Sequence, residues 1–312
     1  MTAVTANDSI DEQPQSPGQL AWIRFCQNRL AVISASVLLI AVVAILIGPL
    51  LSSYKPDALS DNQFAPPSAA HWLGTDDHGR DLLVRVLHGA RISLLVGIVG
   101  AGVSLVIGVL WGAVAGFAGG RTDNLMMRAV DVLYSLPSIV FVIVLITALE
   151  AVFKNWLDQM GSPALAAISR LLLLFVGLGA VSWLTMARIV RGQVLSLRKK
   201  AFIEAERALG ISNVRILFRH ILPNVTGVVI VYLALTVPSI ILYESFLSYL
   251  GLGIQPPQAS LGSLIAAGAS QINPIRIYWW MILFPAAFLG TTLMALNFFG
   301  DGLRDALDPK AD

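Results

Sequence analysis

The stretch "FIEAERALGISNVRILFRHILPN", Phe202–Asn224, sets a dense cluster of charge between two strongly apolar segments of the chain. Across its first part, Phe202, Ala205 and Leu209 fall on one face of a helix, and Lys200, Glu204 and Arg207 fall on another. Gly210 follows at once, where a helix end favours a residue that tolerates positive φ. Ser212 or Asn213 then stands where a second helix, "VRILFRHIL", would be capped, and Pro223 marks the start of the next apolar run. The pattern predicts a helix-turn-helix pair that displays a small apolar face. Three readings stay open at this level: a helix lying on a lipid surface among anionic headgroups, a basic connector between spans, or a docking surface for another protein.

The rest of the chain explains why this segment stands out. Its 312 residues are 56% hydrophobic and only 13% charged, against roughly 25% charged residues in soluble domains. The balance points to a membrane protein. A net charge of +2 leaves no global basic field for nucleic acid. Cys26 is the single cysteine, which excludes an internal disulfide framework and a multi-cysteine zinc site. The start, "MTAVTANDSIDEQPQSPGQL", lacks the basic opening and short apolar core of a cleavable signal. It predicts a disordered tail over residues 1–29.

About 20 apolar residues cross a bilayer as a helix. Six runs qualify: Leu30–Leu51, Ile92–Ala118, Val132–Leu149, Leu171–Ala187, Ile221–Tyr243 and Ile277–Gly300. An even number of spans puts both ends of the chain on one side. With that side inside, fourteen Lys and Arg residues fall on inner segments and seven on outer ones. The positive-inside bias therefore predicts cytoplasmic ends. Residues 52–91 become an external loop, whose basic residues are matched by Asp57, Asp61, Asp76, Asp77 and Asp81. The quoted stretch belongs to the main inner loop, residues 191–220, and residues 301–312 form an inner tail. In that tail the spacing of Asp301, Arg304, Asp305 and Asp308 suggests a short surface helix.

Other positions invite functional readings beside plainer ones. Gly108, Gly112, Gly116 and Gly120 recur every four residues, a spacing that lets helices approach closely. Generic packing is the plain reading; a sliding seam between two subunits is the functional one. Glu244 sits in an apolar run, where a carboxylate is expensive and faces a cavity or a partner. It lines a translocation path, or it is hydrogen-bonded within the subunit. His71, His78 and His88 are too widely spaced for a ligand helix, so a metal site is not expected. Arg128 and Asp131 share a helix face and predict an ion pair, and Pro137 predicts a kink in the third span. No Gly-x-x-x-x-Gly-Lys-Ser/Thr stretch is present, so any ATP-driven role needs its nucleotide site on another chain.

Glu204, Ala205, Glu206, Gly210, Ile221, Leu222 and Pro223 resemble the EAA loop of bacterial ABC-importer permeases. Glu206 stands where that loop usually has a second Ala. The resemblance continues through "HWLGTDDHGRDLLVRVLHGARISL" (His71–Leu94), "GFAGGRTDNLMMRAVDVLYSLP" (Gly116–Pro137), "ESFLSYLGLGIQPP" (Glu244–Pro257) and "NFFGDGLRDALDP" (Asn297–Pro309). These are similar to the C-type subunits of peptide permeases, with Leu261 where Trp is usual before Gly262. "VSWLTMARIVRGQVLSLRKKAFIEA" (Val181–Ala205) is most similar to the oligopeptide branch.

The resemblance implies an all-α integral membrane fold. Six transmembrane helices would comprise one N-terminal helix and a five-helix type-I importer core, residues 92–300. It implies uptake rather than chemistry, in a bacterial inner membrane. The coupling residues would be Phe202, Glu204, Ala205, Glu206, Leu209, Gly210 and Pro223. Glu244, Gly108, Gly112 and Gly116 would be candidates for the path or a subunit interface. The implied partners are a second, unlike permease, two cytoplasmic ATPases and an external peptide-binding protein. No cofactor would bind this chain; ATP and magnesium would bind the ATPases. Dipeptides, nickel chelates or antimicrobial peptides are alternative cargoes. An ATP-independent transporter or membrane scaffold is the rival from another class.

Overall fold

The computed structural model describes residues 16–160, 163–256 and 258–308, and these fold as helices without a strand. In chain order they are α1 (Pro17–Gln27), α2 (Arg29–Leu51), α3 (Leu82–Ala118), α4 (Gly120–Tyr134), α5 (Ser138–Met160), α6 (Pro163–Leu197), α7 (Ala201–Ala208), α8 (Asn213–Ile216), a π-helical turn (Leu217–Ile221), α9 (Leu222–Tyr249), α10 (Leu261–Ser270) and α11 (Trp280–Leu307). Five continuous helical stretches are long and apolar enough to cross a membrane; α4 and α5, bent by 90° at their junction, make up to a sixth. The expected third span therefore does not run straight from Val132. Pro137, which cannot donate a backbone hydrogen bond, lies in a full break between two helices rather than in a kink.

Several boundaries differ from the sequence reading. Residues 17–27 of the expected disordered tail are the helix α1, and residues 1–15 lie outside the described residues. The expected external loop ends early, because Asp81 caps α3: its carboxylate accepts from Val84 N at 3.0 Å. Among the described residues no separate tail helix follows the last span, since α11 continues unbroken to Leu307.

α3 is the hub. Its glycines carry no side chain, so neighbours come close on two faces. Gly97 and Gly100 receive Ile241 and Ile240 of α9, while Gly108, Gly112 and Gly116 receive α6. α11 packs on α2 and α9, and α10 fits between α9 and α11. α2 is peripheral: only Ala31, Ser34 and Ile45 are buried in it. The molecule thus has a cap end, with residues 52–81 and α10, and an α7 end, where α3 and α6 stop and α9 starts.

At the cap end residues 52–81 form an ordered cover. Trp280 Nε1 donates to Thr75 O at 3.1 Å. Phe64 stacks on Tyr278 with ring centroids 4.2 Å apart. Asp76 accepts from His78 N, Arg80 N and Arg80 Nε.

Candidate functional site

α7 is joined to α6 by only three residues, Arg198–Lys200, and each end of that link is fixed. Arg198 Nη1 donates to the carbonyl oxygens of Gly116 and Phe117, at 3.2 and 3.0 Å. Those are among the last carbonyls of α3, which have no partner inside their own helix. Gly119 ends α3 with φ +66°, and a Cβ there would overlap the Arg198 guanidinium.

One side chain anchors α7 from below. Ile203 is fully buried, packed with Ala113, Val190, Val194, Ile216 and Ile221. Burying a side chain of this size is worth roughly 1.5–3 kcal/mol. The predicted face of Phe202, Ala205 and Leu209 points away and stays exposed, Leu209 by 79%. Glu204 is exposed in the first turn.

The far end of α7 is a Schellman turn. Gly210 N donates to Arg207 O at 3.0 Å, and Ile211 N donates to Glu206 O at 3.1 Å. Gly210 takes φ +77° with open space around it, so backbone conformation, not crowding, requires glycine here. Ser212 then precedes α8 without a side-chain cap bond. The expected second helix is not a separate element: α8 and the π turn run into α9 as one stretch, Asn213–Tyr249. The π turn meets Pro223 in the first turn of α9, and Leu222 N reaches back to Leu217 O. Proline supplies no N–H and crowds the carbonyl four residues earlier; the wider turn accommodates both.

Glu206, at the position where Ala is usual, has a partner. Its Oε1 lies 2.9 Å from His220 Nδ1, tying α7 to the π turn. Its Oε2 is buried without a hydrogen bond. Arg207 stands over the Phe117 ring, 5.4 Å from its centroid. Val214 and Phe218 extend the exposed apolar surface beyond Leu209. The arrangement is a short helix held on one side and apolar on the other, mechanically linked to α3, α6 and α9.

The other predicted site residues fall elsewhere. Gly108, Gly112 and Gly116 line a seam inside the chain, which corrects their placement between subunits. A Cβ at Gly108 would lie 2.6 Å from Met186 Cβ; one at Gly116, 2.8 Å from Arg191 O; one at Gly112 would fall on Ala187 O. Gly120 is outside the seam, with open space around it. Glu244 is enclosed within the chain. It is 0% exposed. Ser248 Oγ donates to its Oε1 at 2.7 Å, and Ser93 Oγ to its Oε2 at 2.8 Å. Asp131 pairs with Arg188 of α6 at 2.7 Å rather than with Arg128, and the Arg188 guanidinium lies 4.0 Å from the Tyr134 ring centroid. Arg191 grips Asp123 through Nε and Nη2, at 2.5 and 2.6 Å.

The histidines do not converge. His71 Nδ1 meets Asp81 Oδ2 at 2.9 Å, and His78 Nδ1 meets Asp77 Oδ1 at 2.7 Å. Asp76, Asp77 and His78 do bring ligand-type atoms within 4.8 Å of one another. Arg80 already engages both carboxylates, and Arg85 approaches Asp76, so guanidinium groups occupy the role a cation would take.

Sequence reading missed Ile203, His220 and the Asp123–Arg191 pair. Ile203 sits beside Phe202 in the same apolar doublet, and nothing in the pattern says which of the two turns inward. The partners of Glu206 and Asp123 are set by helix packing and carry no local signal.

Comparison with known proteins agrees along the whole chain. Residues 16–67 match the N-terminal TM domain of oligopeptide transport permease C. Over 310 residues the chain is 46% identical to the oligopeptide transport system permease protein OppC of Escherichia coli K12, covering 97% of this chain and 95% of that one. It is 40% identical to the OppC protein of Bacillus subtilis, over 99% and 95% of the two chains. It is 43% identical to the dipeptide transport system permease protein DppC of the same organism, over 97% and 89%. Residues 108–312, which include the α3–α6 seam and the whole α7 segment, match the binding-protein-dependent transport system inner membrane component, and the chain belongs to that family.

Proposed function

We propose that this chain is one of two unlike permease subunits of an ATP-driven importer, that it forms half of the path for oligopeptides, and that α7 docks on a cytoplasmic ATPase. The single observation that carries the docking is the two-sided character of α7. Ile203 is buried in the chain's own core while Phe202, Ala205 and Leu209 are offered outward. Exposed apolar side chains beside a charged rim suit a protein groove. The bias of fourteen inner against seven outer Lys and Arg residues supports cytoplasmic ends and a cytoplasmic α7. Two ATPases would hold ATP and magnesium, and this chain would bind neither. An external peptide-binding protein would deliver cargo at the cap end.

In this reading ATP closes the ATPase pair and moves α7. Arg198, Ile203 and the Glu206–His220 pair pass that displacement into α3, α6 and α9. A partner shifts a conformational equilibrium only by binding its two states unequally, so α7 must hold its ATPase in both states while changing its angle. The dipeptide relative at 43% identity supports shorter peptides as a second cargo.

The test is peptide uptake and ATP hydrolysis by the complete transporter in proteoliposomes. Gly210→Pro forces φ near −65° where the chain takes +77° and removes the bond to Arg207 O. Glu204→Arg reverses an exposed charge without touching the core. Both variants are expected to insert normally and to lose uptake while hydrolysis continues. Normal uptake by either would refute the coupling role. Competition between labelled peptides of different lengths decides the cargo.

A further inference from the structure

α1 lies outside every role described so far, yet it is carefully built. Ser16 and Gln19 form a reciprocal capping box, with Ser16 N donating to Gln19 Oε1 at 3.0 Å. Pro17 opens the helix, where its missing N–H costs nothing. An isolated helix of 11 residues is marginal in water, so packing must hold it. Phe25 supplies that packing: it is buried edge-on against Phe299 of α11, at 5.6 Å, in a cluster with Ala31 and Ala306. Arg24 Nη1 adds a bond to Asp308 O at 3.0 Å.

The side of α1 away from α11 is uncovered, its apolar side chains interleaved with the exposed Gln19 and Gln27. Leu20, Trp22 and Ile23 are all exposed, Trp22 by 68%. One residue, Asn28, separates α1 from the first spanning helix. Its side chain caps α2 by accepting from Leu30 N and Ala31 N. Leu30 and Ile33, in the opening turns of α2, are exposed in their turn, and on a peripheral span such residues face lipid. The uncovered residues of α1 thus lead, across one residue, into a span whose exposed side faces hydrocarbon.

We propose that α1 is a membrane-surface helix, with Leu20, Trp22 and Ile23 seated at the boundary between headgroups and acyl chains of the leaflet on the N-terminal side. Three observations select lipid over a protein partner. The uncovered apolar residues lead, across one residue, into the lipid-facing turns of α2. Tryptophan favours this depth, where its ring is apolar and its N–H meets headgroups. Arg29 is exposed at the junction, where a guanidinium can reach lipid phosphate. α1 then fixes how deep α2 sits and, through Phe25 and Phe299, steadies the end of α11. The inference rests only on membrane insertion of α2; it is independent of cargo and of ATPase docking.

The chain offers its own probe, because Cys26 is its single cysteine and is exposed. It lies one turn along the helix from Trp22 and Ile23. A nitroxide on Cys26, in the complete transporter with cysteine-free partners in proteoliposomes, reads collisions with oxygen and with a water-soluble nickel chelate. Oxygen is expected to dominate at Cys26 and, more strongly, at Ile23→Cys in a Cys26→Ser background. Asp61→Cys in the exposed cap loop should show the opposite order. Dominance of the chelate at position 23 would place α1 in water and overturn the proposal. Protection from both reagents would place a protein against α1 and overturn it equally. Loss of peptide uptake in a labelled sample leaves the collision data readable, so failure of the transport reading is told apart from failure of this one.

Discussion

At the cap end of the core, polar groups meet other groups of the same chain. Glu244 is enclosed by Ser93, Ser245 and Ser248, α10 carries its own capping box, and Trp280 bonds Thr75. At the α7 end, by contrast, Phe202, Leu209, Val214 and Phe218 are left outward, and Glu206 Oε2 is buried without a partner. The first region satisfies nearly all of its buried polar groups by itself, Arg85 Nε being the exception, 3.4 Å from Asp76 Oδ2. The second is complete only on the side that faces its own core. Unequal finishing of this kind is what the proposed docking of α7 on an ATPase would require, since a fully satisfied α7 would have nothing left to offer.

The hardest way to break this contrast is to break the seam that joins the two ends. At Gly112 an added Cβ meets Ala187 O and lies 3.0 Å from Arg191 N, both backbone atoms of α6 that no rotamer change can move. Overpacking by a few methylenes costs roughly 1–3 kcal/mol where side chains can adjust, and here they cannot. Gly112→Leu is expected to prevent recovery of a monodisperse chain from membranes. Gly192→Leu, on α6 but in open space, should leave its melting temperature within a degree or two. Equal behaviour of the two variants would show that the close approach of α3 and α6 at Gly112 is not what holds the two ends together.

The next effect separates the two sides of α7. Ile203→Ala empties a site in the chain's own core and should cost about 2–5 kcal/mol. It is read as faster amide exchange across Ala201–Gly210. Leu209→Ala removes exposed surface, and exposed substitutions usually stay within about 0.5 kcal/mol. It should leave exchange in the isolated chain unchanged while weakening recovery of the ATPases with the purified permease. If Leu209→Ala also loosened α7 in the isolated chain, the outward face would be a structural face after all.

Much of this was legible in the sequence, for identifiable reasons. The spans declare themselves because a bilayer demands long charge-free runs, and Gly210 declares itself because its neighbours form a helix that must stop. The break at Ser135–Pro137 was half visible: the proline is plain, but a 90° turn and a kink look alike in one dimension. α1 was hidden by its polar approach and shortness, since its stability comes from Phe25 meeting Phe299 across the whole chain. The recurrence of the α3 glycines marks a close helix contact, but periodicity cannot say whether the partner helix belongs to the same chain. Glu206 and His220 are only fourteen positions apart, yet their pairing depends on the Schellman turn that folds α7 back toward the π turn.

The smallest effect tests how complete the cap end is. Glu244 is the terminus of two hydrogen-bond chains that run the same way. Leu261 N donates to Ser93 Oγ, which donates to Glu244; Ile254 N donates to Ser248 Oγ, which donates to Glu244. Each serine oxygen already accepts from a backbone N–H, so each hydroxyl proton depends on the carboxylate. In Glu244→Gln one oxygen still accepts, but the amide nitrogen only donates. One serine must then give up its outlet, at a cost of about 1–3 kcal/mol for a buried unsatisfied group. Glu244→Leu strands both chains and should cost more. The predicted order of melting temperature is wild type, then Gln, then Leu, with exchange at the Leu261 and Ile254 amides rising in step. Because these partners all lie in one chain, the order should be the same with and without the ATPases bound. A Glu244→Gln effect that appeared only in the assembled transporter would make the cap end as dependent on partners as α7.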